Sequence, residues 1–161
     1  MSPSTHGQHL PIVGITLGDV AGIGPEVVVR ALARDDVRAV CRPLVIGDRR
    51  VLEDARFAAQ GLCFQVVEDA RHADWSGHPV VLLDMHVVDP GDITVGQISP
   101  VAGRAAVQYV LKAADLALEG EIDAVATAPL NKEAMRLAGY DYIGHTEILA
   151  DVTHTAECTT M

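Results

Sequence analysis

Ile12-Val13-Gly14-Ile15-Thr16-Leu17-Gly18-Asp19-Val20-Ala21-Gly22-Ile23-Gly24-Pro25-Glu26 is the stretch that decides the fold. Ile12 to Leu17 is a short apolar run, partly β-branched, that stops at a glycine, as a buried strand does. Gly24 then stands where a helix cap belongs, Pro25 where a first helical position belongs, and Glu26 in the first turn, where the helix dipole favours an anion. The order is strand, glycine turn, helix. The glycines are spaced G-x-x-x-G-x-G, which matches neither the dinucleotide fingerprint G-x-G-x-x-G nor the phosphate loop G-x-x-x-x-G-K-[ST]. The turn therefore reads equally well as a tight strand-to-helix connection needing glycine dihedrals or as a ligand loop. Asp19 tilts the balance toward a ligand, because a carboxylate just past a strand's carboxyl end sits where α/β proteins bind them.

The alternation continues outward from there. The first helix runs from Val27 to about Arg34, with Asp35 and Asp36 marking its end. Pro43 to Ile46 reads as a second strand and Arg49 to Gln60 as a second helix closed by Gly61. Cys63 to Val67 and Pro79 to Leu83 are strands separated by a polar loop, Glu68 to His78. Asp89 to Pro100 is too rich in proline and glycine for a regular element. From Val101 to Glu119 the polar residues Arg104, Gln108, Lys112, Asp115 and Glu119 fall on one narrow helical stripe. The rest of that helix is apolar, so it packs on a sheet with one side and on another helix, or another subunit, with the other. Ala124 to Thr127 is a further strand, Asn131 caps a short helix ending near Gly139, and a last helix spans Glu147 to about Val152. The whole predicts an α/β fold with a mixed, largely parallel sheet and flanking helices.

Composition agrees and narrows the function. The 161 residues are 49% hydrophobic but only 4% aromatic, so the core is built from Val, Leu, Ile and Ala, which suits a parallel sheet under helices. Twenty-two acidic and twelve basic residues give a net charge of −10 with no Lys/Arg cluster, which argues against nucleic acid as a partner. No apolar run reaches the roughly 18 residues of a membrane span. Cys41, Cys63 and Cys158 are scattered and odd in number, without C-x-x-C pairing, and fit a reducing cytoplasm. Residues 1–11 read as a polar, flexible tail.

A second pair of turns carries the chemistry. Thr127-Ala128-Pro129-Leu130-Asn131-Lys132 leaves a strand with hydroxyl, amide and ammonium groups, and Gly144-His145-Thr146-Glu147 follows shortly after. His145, beside a glycine at a helix entrance, is placed to donate to, or exchange protons with, an anionic substrate. Thr146 reads as well as the N-cap of the following helix, and Asn131 and Lys132 as a cap and a solvated side chain. His6, His9, His72, His78, His86 and His154 show no H-x-x-x-H or H-E-x-x-H spacing, so no metal site is assigned to this chain.

Ile15-Thr16-Leu17-Gly18-Asp19 with Ala21 to Glu26, then Val45-Ile46-Gly47-Asp48, Gly103-Arg104-Ala105-Ala106, Thr127 to Lys132 and Gly144 to Glu147 resemble, in order and spacing, the 4-hydroxythreonine-4-phosphate dehydrogenase family (PdxA). The related 4-phosphoerythronate and 4-phosphothreonate dehydrogenases share the likeness. The resemblance implies a fold like that of the isocitrate and isopropylmalate dehydrogenases, with two α/β domains, a cleft between them and a homodimer. It also implies NAD- or NADP-dependent oxidation of a phosphorylated hydroxy acid, such as 4-phosphohydroxy-L-threonine in pyridoxal phosphate biosynthesis, followed by decarboxylation. A divalent metal (Zn, Mg or Co) polarises the reacting oxygens in that scheme. His145 and Thr146 become substrate contacts, and Asp19, Thr127, Asn131 and Lys132 candidate cleft residues. No residue of this chain is assigned as catalytic.

Two departures are visible. Val20 stands where the family usually carries proline, and family chains run to about twice this length, two domains of typical size. The metal ligands and most of the nucleotide site are thus expected beyond residue 161, with residues 12–161 forming the amino-terminal α/β portion, inactive on its own. The alternative is a truncated, non-catalytic paralogue that binds a small anion or dimerises through Val101 to Glu119.

Overall fold

Residues 10–53, 61–76, 80–156 and 158 are described by the computed structural model. Strand β1 (Ile12–Thr16) is followed by α1 (Gly24–Leu32), a single turn α2 (Asp35–Arg38), β2 (Arg42–Gly47) and α3 (Arg49–Leu52). Then come β3 (Phe64–Val67), β4 (Val80–Asp84), the long helix α4 (Pro100–Leu118), β5 (Ala124–Thr127), α5 (Lys132–Leu137) and α6 (His145–Val152). Short 3-10 turns at Ala70–His72 and Pro90–Asp92 interrupt the two long connections.

The five strands are ordered β3-β4-β2-β1-β5, and every pairing is parallel, so the mixed sheet allowed by the sequence gives way to an all-parallel one among the described residues. Val80 to Asp84 are buried throughout and Pro43 to Gly47 likewise, the pattern of strands covered on both faces. From β1 the chain moves to β2 on one side, and from β4 it crosses back to β5 on the other. By the right-handed rule for parallel connections, α1 and α4 belong on opposite faces, and the reversal of strand order makes the β1/β5 boundary a switch point.

Helix α4 is wrapped by its own chain. Ala102, Ala105, Tyr109, Ala113 and Leu116 belong to the core of the sheet, whereas Val107 and Val110 pack with Met135 of α5 and Ile148 of α6. Its second apolar side therefore meets α5 and α6, the helix option of the two left open by the sequence. Gly103 makes this approach feasible, because a Cβ there would lie 2.2 Å from the Ala134 carbonyl oxygen.

Several boundaries differ from expectation. Asp35 and Asp36 open α2 instead of merely closing α1, because Arg34 is extended and the two carboxylates stabilise a new helix start. Gly24 lies inside α1, with Ile23 at the cap position. Helix α6 begins two residues early, at His145, with Gly144 as N-cap, so Thr146 is not the cap. The expected helix to Gln60, the start of a strand at Pro79 and most of the expected tail lie in part outside the described residues. Among the described residues no helix is long and apolar enough to cross a membrane.

Candidate active site

At the carboxyl end of β1 the chain turns sharply through Gly18, whose φ is +64°. A Cβ at this position would sit 2.5 Å from the Pro129 carbonyl oxygen and 2.8 Å from the Ala128 carbonyl, so only glycine fits without moving backbone. The Asp19 amide donates to the Pro129 carbonyl at 2.9 Å, and the Ala128 amide to the Thr16 carbonyl at 3.3 Å. These bonds stitch the loop after β1 to the loop after β5. Across the same junction, His145 Nε2 lies 3.2 Å from the Ala128 carbonyl oxygen. Three separate stretches of sequence thus converge at the switch point.

Asp19 is buried, and its Oδ1 accepts from the Ala21 amide at 2.9 Å. Burial raises its pKa above the ordinary 3.8, and hydrogen bonds from the Ala21 and Gly22 amides oppose that rise. Its carboxylate thus organises the loop as an Asx turn. The loop borders a cavity of about 540 Å³ lined by Val20 to Ile23, Pro25, Glu26, Val95 and Gly96, within the size range of small-ligand sites. A second cavity of about 520 Å³, lined by Leu10, Arg42 and Val80 among others, lies at the amino ends of the strands. Parallel sheets bind ligands at the other end.

His145 is half-buried at the start of α6, and burial pushes its pKa below the ordinary 6.5, partly opposed by the Ala128 carbonyl. The amino terminus of a helix also disfavours a cation. Thr146 is the second residue of that helix. Thr127 ends β5, in register with Thr16, and is exposed. Asn131 Oδ1 accepts from the Ala134 amide at 3.0 Å, so this residue serves as the cap of α5. Lys132 is exposed and forms no ion pair among the described residues. The geometry joins Asp19, the Ala128-Pro129 backbone and His145, and it leaves Asn131 and Lys132 outside that hydrogen-bonded group.

Sequence reasoning missed the carbonyls of Ala128 and Pro129, since apolar residue types give no signal of a backbone acceptor. It also gave His86 little weight. That residue has a left-handed φ of 53°, and its ring nitrogens lie 3.6 Å from Asp84 and 3.9 Å from Glu68. Among the described residues no group of three or more His, Cys, Asp or Glu side chains comes together as a metal site. These residues do not fit a metal centre.

Comparison with known proteins gives the family. The chain is 45% identical over 155 residues to the D-threonate 4-phosphate dehydrogenase of Cupriavidus necator, covering 96% of this chain and 46% of that protein. The crystal structure of a 4-hydroxythreonine-4-phosphate dehydrogenase from Burkholderia phymatum superposes with a TM-score of 0.86 at 47% identity, over 92% of this chain and 45% of that one. A 4-hydroxythreonine-4-phosphate dehydrogenase from Klebsiella pneumoniae gives a TM-score of 0.81 at 35% identity, over 91% and 45%. The chain spans about half the length of the relatives it matches. The family model for the pyridoxal phosphate biosynthetic protein PdxA matches residues 39–161, and the chain belongs to that family.

Proposed function

We propose that these 161 residues are the amino-terminal α/β portion of a two-domain dehydrogenase that oxidises the secondary alcohol of a phosphorylated hydroxy acid. The chemistry a bound NAD or NADP would supply is acceptance of the hydride, with the alcohol's proton released, and the β-keto acid formed would then lose carbon dioxide. The enzyme works as a cytoplasmic homodimer, with a divalent metal and the nucleotide held by residues outside this chain. The observation that carries the reading is the convergence of the Asp19 loop, the Ala128-Pro129 backbone and His145 at the carboxyl ends of β1 and β5.

In this reading the present chain supplies one wall of the cleft. His145 and Thr146, on the first turn of α6, contact the substrate, and Thr127 extends the wall from the end of β5. Gly18 and the Asx turn of Asp19 keep that wall rigid. A fixed wall orients the substrate before reaction, which is where much of an enzyme's advantage arises.

The test is kinetic. The full-length gene product should oxidise 4-phospho-D-threonate or 4-phosphohydroxy-L-threonine with NAD or NADP, and residues 1–161 alone should not. His145→Ala in the full-length protein should lower kcat/KM about tenfold or more, the worth of one lost hydrogen bond. Unchanged kinetics would remove His145 from the site, and turnover by residues 1–161 alone would overturn the division of labour.

A further inference from the structure

The contact between His145 and Ala128 settles which ring nitrogen carries the proton. A backbone carbonyl can only accept a hydrogen bond, so the Nε2 atom 3.2 Å from the Ala128 oxygen carries the proton. In a neutral imidazole the other nitrogen, Nδ1, is then an acceptor with a free lone pair. It has no hydrogen-bond partner among the described residues. The Ala128 carbonyl is itself fixed: its residue is buried, its amide is tied to Thr16, and Gly18 leaves the carbonyl just enough room.

We infer that the Gly18–Ala128 junction locks His145 as the Nε2–H tautomer, so that Nδ1 meets the substrate as a hydrogen-bond acceptor and reads a hydroxyl group, not the phosphate. A lone pair repels an anion's oxygen and accepts from an alcohol's O–H. The half-buried setting of the ring, which disfavours the imidazolium, supports the neutral state this requires. Gly18 is on this view a positioning residue that acts through Ala128. The inference rests on the dehydrogenase reading above and narrows it: the substrate presents a hydroxyl to His145 while its phosphate is held elsewhere.

Long-range ¹⁵N–¹H NMR of histidine-labelled full-length protein tests this, with His145→Gln used to assign the signal. Nδ1 of the free protein should resonate as an unprotonated, pyridine-type nitrogen and Nε2 as a protonated one. Inorganic phosphate should leave Nδ1 unprotonated. 4-Phospho-D-threonate should shift Nδ1 as an acceptor without protonating it. Gly18→Ala should convert the single tautomer into a mixture; a merely structural glycine would leave the tautomer alone. If that variant fails to fold, the wild-type spectra still decide. An Nδ1–H tautomer in the free protein, or protonation of Nδ1 on adding phosphate, overturns the inference. If the phosphorylated substrates shift the backbone amides of residues 17–24 but not Nδ1, this inference alone falls. If they shift neither, the dehydrogenase reading falls with it.

Discussion

The dipeptide Gly-Asp ends two neighbouring parallel strands, as Gly18-Asp19 after β1 and as Gly47-Asp48 closing β2, and the two copies do different work. Asp48 is fully buried, with Oδ1 accepting from the Val88 amide at 3.0 Å and Oδ2 from the Tyr109 hydroxyl at 2.6 Å. That carboxylate ties β2 to α4 and to the segment after β4. Asp19 instead spends its Oδ1 on its own loop, and the loop is tied to the backbone that holds His145. An identical pair of residues is thus a core fastening on one strand and a site-shaping turn on the next. What decides is the neighbour each meets: a buried tyrosine in one case, a second strand-end loop in the other.

The glycines sharpen the contrast most. A Cβ at Gly18 meets backbone carbonyls in a left-handed conformation, whereas a Cβ at Gly47 meets the side chain of Leu17, 2.2 Å from its Cδ1. Side chains can turn aside and backbone cannot. Gly18→Ala should therefore cost about 3 kcal/mol of unfolding free energy, combining a disfavoured φ with a backbone shift. Gly47→Ala should cost less, about 2 kcal/mol, since buried Leu17 must shift its Cγ as well as its Cδ1 but no backbone need move. Urea unfolding of the two variants measures both, and equal losses would break the distinction.

Tyr109→Phe probes the other half of the comparison. The phenol is buried, and its pKa is pushed above the ordinary 10 by burial first and by Asp48 second, so it remains a donor at every physiological pH. Removing it leaves Asp48 Oδ2 buried without that donor, at a cost of about 2 kcal/mol. The expected result is a lower Tm with the hydrogen bonds of the β1 loop intact, since those do not involve α4. A loss of the His145 tautomer in this variant would show the two Gly-Asp turns to be coupled.

Much of this was legible in the sequence because parallel strands and their helices announce themselves through apolar runs, glycine stops and the stripe from Arg104 to Glu119. The candidate site was legible as residue types at strand ends, His145 and Asp19 above all. Its assembly was not, because it rests on the carbonyls of Ala128 and Pro129, and a backbone acceptor has no residue type. The role of Asp48 was hidden for a related reason: its partner Tyr109 is 61 positions away and looks in sequence like one more apolar residue on α4. The start of α6 at His145 was misplaced because Thr146 is a better cap by residue type than Gly144, yet extended backbone at Gly144 lets the helix begin earlier.

Asp19→Asn should have the smallest effect and separates a carboxylate needed for its charge from one needed for its oxygen. The amide keeps an Oδ1 to accept from the Ala21 amide, so the Asx turn survives. It also removes a charge that burial opposes. Because the folded pKa of Asp19 lies above 3.8, the native state holds a proton that the unfolded chain releases across the interval between the two values. Stability from this group therefore falls as pH rises through that interval and is level above it. Asn removes that slope. At pH 7 the variant should match or slightly exceed the parent, within about 0.5 kcal/mol, and its stability should decline less between mildly acidic and neutral pH. Unfolding curves across that range measure both quantities. A loss of more than about 1 kcal/mol at pH 7 would mean that the charge, and not only the acceptor oxygen, holds the turn, and the contrast with Asp48 would narrow to the identity of their partners.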